Sequence, residues 1–426
     1  MKTSPRRAGR DQDQASSSSN TSSSSEASSS GGTPSTGEAA SPRAQASLAL
    51  LVAVTMTGTV ALHIFVPALA AAAADLRTTP VAAQLTITLY LVGLACGQLV
   101  YGPLSDRFGR RPVLIAGLSL YLAGLLLAIP APSIEVLIVA RVLQSLGACG
   151  SLVLGRAMVR DVSTAADAAR KIAILTMAMT LTPALAPAIG GLVAGAFGWR
   201  AVFVVLAAVV ALLGALVVLT LPETNRRPVA LPGIGAVAGA YLRLLRNPAY
   251  RAYLLAGACA GTSLYAFLAV APFLLVDRLG RSSQEVGLDC LIVVAGMVVG
   301  SAVAGRLAGR MPIQRAARIG NGICLLAALA LLAVDRSGHL TVVSLLAPLV
   351  LYAVGIGLLG PNAVAGLMNV DPHAAGSASS LYGFMQMALG ALFTLVVATW
   401  HDGSATPVAA TLLGASVIAA LSLRRV

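Results

Sequence analysis

Apolar residues come in runs of about twenty, broken by short polar stretches. They do not alternate in the period-two pattern of half-buried strands. Such runs cover about 46–70, 81–101, 113–131, 134–156, 171–196 and 200–221, and again 251–275, 286–308, 316–334, 341–366, 376–399 and 405–423. The pattern predicts an all-α polytopic membrane protein with twelve transmembrane helices in two six-helix pseudo-repeated halves. Residues 45–221 form the first bundle and 251–426 the second. The polar stretch 222–250 reads as a cytoplasmic linker with a short amphipathic helix around 237–246. Residues 1–44 carry the serine runs Ser16–Ser19 and Ser22–Ser25 and too little apolar surface to offset ordering entropy, so a disordered tail is expected. The first thirty residues lack the apolar core of a signal peptide.

Composition agrees: 57% of the 426 residues are hydrophobic and 11% charged. A net charge of +13 would suggest nucleic-acid binding in a soluble chain, but its placement here argues topology. Of the 29 Lys and Arg, all but Arg141 and five others (Arg77, Arg200, Arg278, Arg281, Arg336) fall on one side of the predicted spans. That asymmetry predicts both termini in the cytoplasm. Cys96, Cys149, Cys259, Cys290 and Cys324 are scattered in apolar segments and read as small hydrophobes. No metal-ligand spacing, nucleotide-binding loop or nucleophile–base constellation is present. No metal, cofactor or enzymatic activity is therefore expected.

The most specific motif, Gly102-Pro-Leu-Ser-Asp106-Arg107-Phe-Gly109-Arg110-Arg111-Pro112, separates the second and third spans. Gly102 should permit close approach. Asp106 stands just ahead of the next helix, where a carboxylate suits the positive dipole end, and the arginines offer donors to carboxylates or helix C-termini. Shifted by 203 residues, Gly102, Leu104 and Arg107 fall on Gly305, Leu307 and Arg310, which supports the two halves. Trp199 and Trp400 fall near the outer ends of the fifth and eleventh spans, as interfacial tryptophans would.

Ionisable residues deep in a bilayer are costly and are functional candidates by default. His63 and Arg141 are predicted at similar depth in the first and fourth spans. Two potentially cationic groups facing one cavity are a means of building a proton-responsive switch. Gln144, Tyr265, Asn362 and Gln386 are candidate substrate contacts in a mainly apolar cavity, although helix–helix hydrogen bonding explains each as well. Asp289, near the start of the eighth span, is expected to snorkel to water. The fifth span carries Pro183, Pro187, Gly190 and Gly191, the composition of a hinge and of a contact between halves.

With these residues placed, the chain resembles the bicyclomycin/chloramphenicol-type (Bcr/CflA) drug:proton antiporters of the major facilitator superfamily. The resemblance rests on the Gly102–Arg111 loop and the preceding Gly97-Gln98-Leu99-Val100-Tyr101. It rests also on Arg141-Val-Leu-Gln144-Ser-Leu-Gly147, Arg156-Ala-Met-Val-Arg160-Asp161, Val66-Pro67-Ala68-Leu69 and Pro361-Asn362-Ala363. Pro187-Ala-Ile-Gly190-Gly191 is similar to the antiporter signature, with Ala186 where the pattern has glycine. The resemblance implies alternating access, with Gly102, Asp106, Arg107, Gly109, Arg110 and Arg111 as a conformational latch and Arg141 in proton transfer. One departure stands out: the group's acid before the Pro-Ala-Leu end of the first helix is replaced by His63 in Leu62-His63-Ile64-Phe65. The expectation is a monomer in the bacterial inner membrane that exchanges small amphipathic drugs for protons. Transport of a specific metabolite, and a non-transporting sensor on the same fold, are the alternatives.

Overall fold

The computed structural model describes residues 42–163, 165–225, 234–370, 375–400 and 404–424. The serine-rich tail, apart from its last residues, and the middle of the 222–250 connection lie outside them. The first crossing is α1 (Pro42–His63), a 3-10 turn (Val66–Ala68) and α2 (Leu69–Asp75). The break falls at Pro67, whose ring fixes φ and removes a backbone donor. Then follow α3 (Pro80–Phe108), α4 (Arg110–Ala128), α5 (Ile134–Asp161), α6 (Ala165–Phe197) and α7 (Trp199–Thr220). The connection contains α8 (Ile234–Arg246), as its amphipathic pattern predicted. The second half is α9 (Pro248–Phe273), α10 (Ser283–Leu307), α11 (Ile313–Arg336), α12 (Val342–Val370), α13 (Ala375–Thr399) and α14 (Thr406–Leu423). Among the described residues eleven helical stretches are long and apolar enough to cross a bilayer. The long α6, which carries Pro183 and Pro187 within it, makes the twelfth.

Local chemistry explains the helix ends. Thr79 caps α3 by accepting from the Ala82 amide at 3.2 Å, with Pro80 in the first turn. Asn247 caps α9 through the Ala249 and Tyr250 amides, and Ser282 with Glu285 forms a capping box on α10. The apolar run into the Gly102 motif continues past Gly102 and Pro103 to Phe108. The turn itself is Gly109, at φ +96°, a conformation that favours glycine. Gly102 was expected to permit close approach, but a Cβ there would meet nothing within 4 Å.

The halves meet along two seams. α3 packs along α13, where the Thr88 and Thr394 hydroxyls share a buried hydrogen bond of 2.8 Å. α6 packs along α10, where a Cβ on Gly191 would come within 2.6 Å of the Ser283 carbonyl, and one on Gly190 would strike the Ile64 carbonyl. The 3-10 turn of the first crossing packs on α9 and α10. The halves thus close at the end marked by Trp199. At the end marked by Gly109 they part around a cavity of about 400 Å³. Large apolar side chains such as Phe197 and Leu219, each 79% exposed, cover the outer surface as a bilayer requires.

Candidate functional site

The last turns of α1 hold the site together through backbone carbonyls. The Tyr121 hydroxyl donates to Thr57 O at 3.0 Å and the Tyr90 hydroxyl to Gly58 O at 3.1 Å. His63 Nδ1 lies 2.8 Å from Thr59 O, and Arg141 Nη1 donates to Ala61 O at 3.0 Å. Because α1 ends at His63, these carbonyls form the negative end of its dipole, where a cation is favoured. The Arg141 guanidinium is fully buried, with its carbon 4.2 Å from the centre of the Tyr90 ring and 5.4 Å from that of Phe65. Aromatic faces stabilise a desolvated cation by about 2 kcal/mol or more. Its balance therefore comes from a helix terminus and two rings, and no ion pair to a carboxylate joins it among the described residues.

This balance leaves polar atoms unpartnered. Arg141 Nε and Nη2 and His63 Nε2 are buried without a hydrogen-bond partner, as are both polar atoms of Gln84. With Nδ1 against a carbonyl, geometry assigns the neutral His63 proton to Nδ1 and leaves the Nε2 lone pair open. Gln144 is buried with both ends engaged, accepting from Arg141 at 2.9 Å and donating to Gly124 O at 3.1 Å. It orients Arg141, and the direct substrate contact expected of it gives way to that role.

The histidine faces the other half. Its ring lies 5.9 Å from that of Tyr265 on α9, so this pair spans the closed seam. Tyr265 lies against Gly390 and Gln386 against Gly261, which groups these two residues along the α9–α13 contact. Asn362 stands apart, donating to Leu358 O one turn back in α12 at 2.8 Å. Pro187, Gly190 and Gly191 sit where α6 touches both α1 and α10. Pro183 lies within the same continuous helix.

At the Gly109 end Asp106 and Asp161 both bind Arg110, at 2.6 and 2.9 Å. The carboxylate at the start of α4 is not Asp106 but Glu223, which accepts from the Arg110 and Arg111 amides at 3.0 and 3.1 Å. Asn225 donates to Asp106 O at 2.9 Å, so the chain leaving α7 is tied to this turn. Arg111 donates to Val218 O, and Arg107 lies over the Phe108 ring at 5.3 Å. Asp161 and Glu223 were invisible as partners because they lie 51 and 113 residues from Arg110.

Two further expectations change. Asp289 does not snorkel: it is 2% exposed, and Arg281 grips both its oxygens at 2.9 and 3.0 Å. Those hydrogen bonds hold the Arg281 pKa above its ordinary value, against the opposing effect of burial. Trp199 stands at the first residue of α7, as expected of a span end, but faces inward: it is buried against Phe65 and Phe203, with its indole N–H donated to Asp75 at 3.1 Å. Tyr90 and Tyr121 were missed, and tyrosines at the middle of apolar runs were the available signal.

The Major Facilitator Superfamily family model matches residues 48–394. The chain belongs to that superfamily. Multidrug resistance protein D of Escherichia coli is 34% identical over 80% of this chain and 85% of its own length. A chloramphenicol resistance protein of Pseudomonas aeruginosa is 32% identical, covering 85% of this chain and 86% of the relative. Among solved structures, a bacterial homolog of the human lysosomal transporter Spinster, inward-facing and unoccupied, superposes with a TM-score of 0.74. It is 15% identical and covers 91% of this chain and 98% of that one. A D-xylose–proton symporter gives 0.71 at 13% identity, over 87% and 96%. These two likenesses concern the fold. This chain is a major facilitator transporter with relatives named for drug resistance.

Proposed function

We propose that this transporter exports small amphipathic compounds in exchange for protons, with His63 as the proton acceptor and Arg141 as its electrostatic partner. The observation that carries the reading is the pair of buried groups at the end of α1, a guanidinium with two unpartnered nitrogens and an imidazole with an open Nε2. Protonation at Nε2 places a second positive charge on one helix terminus. Repulsion from Arg141 then acts on the segment that carries the 3-10 turn and the Tyr265 contact, which is the seam between halves. Substrate would meet Tyr265 and Gln386 on the second half. Pro183 and Pro187 let α6 bend, and Arg110 with Asp106, Asp161 and Glu223 latches the Gly109 end. The basic loops support placing that end, with both termini, in the cytoplasm of the bacterial inner membrane. The drug-resistance names of the relatives support the substrate class.

The test is proton movement in inverted membrane vesicles with chloramphenicol as probe. Addition of the drug should dissipate the pH gradient, His63→Ala should abolish this, and His63→Asp should restore it. Normal coupling in the alanine variant would remove His63 from the mechanism. No drug-induced proton movement in the parent protein would count against antiport of this drug.

A further inference from the structure

The cavity of about 400 Å³ at the Gly109 end has no part in the proton mechanism. Its wall on the first half carries Asp106 and Arg110, and Arg156 and Arg160 from the last turns of α5. Tyr241 of α8 and Ser379 and Ser380 from the first turns of α13 face them. The charges do not cancel. Arg110 is matched by Asp106 and Asp161, whereas Arg156 and Arg160 make no ion pair with any described residue. Arg156 Nε is also buried without a hydrogen-bond partner. The remaining lining groups include four hydroxyls that can donate, those of Tyr241, Ser377, Ser379 and Ser380. Burial raises the pKa of Tyr241, so its hydroxyl stays a neutral donor. The 25-residue α13 directs the positive end of its dipole to this region.

A space rich in donors, with two unmatched guanidinium groups, suits a ligand with several acceptor oxygens and negative charge. A neutral drug would leave those donors unmet, and a cation would be repelled. We propose that this cavity binds an oxyanion, a phosphate or a phosphate monoester, which bridges Arg156 and Arg160 of α5 to the serine hydroxyls of α13. α5 belongs to the first half and α13 to the second. An anion held between them therefore closes the Gly109 end and restrains the transport cycle. The phosphate can be free or can be a phosphoserine, and the serine runs at 16–25 are one source within the chain.

The test is calorimetric titration of the full chain in lipid nanodiscs with inorganic phosphate, and with a synthetic peptide of residues 16–25 carrying phosphoserine. Saturable binding is expected, weakened at least tenfold by Arg156→Gln and by Arg160→Gln and unchanged by Lys171→Gln. Arg160 is exposed, so its variant keeps the test intact if the Arg156 variant does not fold. Spin labels at Val162→Cys and Leu242→Cys, with Cys96→Ser, should move closer as phosphate is added. Tighter binding of the phosphopeptide, with displacement of phosphate, would identify the tail as a source. Absence of saturable binding to either probe in the parent, or affinity untouched by both arginine variants, would overturn the proposal. Neither result bears on His63, whose test reads proton movement.

Discussion

The cores of the two halves solve one packing problem with opposite chemistry. In the second half the Tyr352 hydroxyl meets Ser263 at 2.8 Å, Ser416 at 3.1 Å and Leu412 O at 3.2 Å. Asn321 donates to Ser416 O at 3.0 Å, and Cys324 Sγ lies 3.5 Å from Tyr352 O. This network is neutral and, apart from Asn321 Oδ1, joined throughout. In the first half the core where α1, α4 and α5 meet is built around a cation. Tyr121, which the 203-residue shift lays on Cys324, now braces α1. Arg141 keeps two nitrogens unpartnered. A buried charge with part of its hydrogen bonding unmet is costly against an apolar replacement. The second half packs its core with neutral, bonded groups, so the buried cation of the first half is no general need of the fold, in keeping with the role proposed for it.

Four substitutions sharpen that contrast. Arg141→Met has the largest expected effect, bringing proton-coupled transport down to the level of empty vesicles while stability stays level or rises by about 1–4 kcal/mol. Thermal unfolding beside the vesicle assay separates the two, and a variant that transports normally would end the contrast. Next comes Asp289→Ala in the second half, which removes the buried partner of Arg281. We expect a loss of about 1.5–3 kcal/mol, the range for hydrogen bonds to a charged group, because Arg281 is partly exposed and retains Glu285. Its coupling per folded molecule should be intact, and a shifted pH profile would place proton chemistry in the second half as well. Tyr352→Phe should cost about 1 kcal/mol in denaturant unfolding, since Ser263 and Ser416 keep backbone acceptors. Smallest is Glu223→Gln, which weakens the charge at the start of α4 by ~0.3–1 kcal/mol; a loss that does not shrink with added salt would contradict a dipole origin.

Local, periodic features were legible in the order of residues. Twelve crossings and the amphipathic α8 follow from stretches of a few to thirty residues, and the structure has each of them; the break of the first crossing at Pro67 was not foreseen. The similar depth of His63 and Arg141 was also legible, because helical rise converts sequence position to depth, and Arg141 does reach Ala61 O beside His63. What the sequence withheld was partnership. Asp289 looked free to reach water because nothing local shows that Arg281, eight residues away across a turn, will fold back over it. Asp106 looked like the cap of α4 because it was near, yet the cap is Glu223, brought from the far end of α7.

Hydrophobicity thus decided by itself that this chain crosses a membrane and roughly where each crossing lies, since the cost of exposing backbone to lipid is met within each helix. Which buried donor finds an acceptor is a property of helices meeting side by side. Only the tertiary structure could decide that Tyr352 is fully bonded while Arg141 and His63 are not.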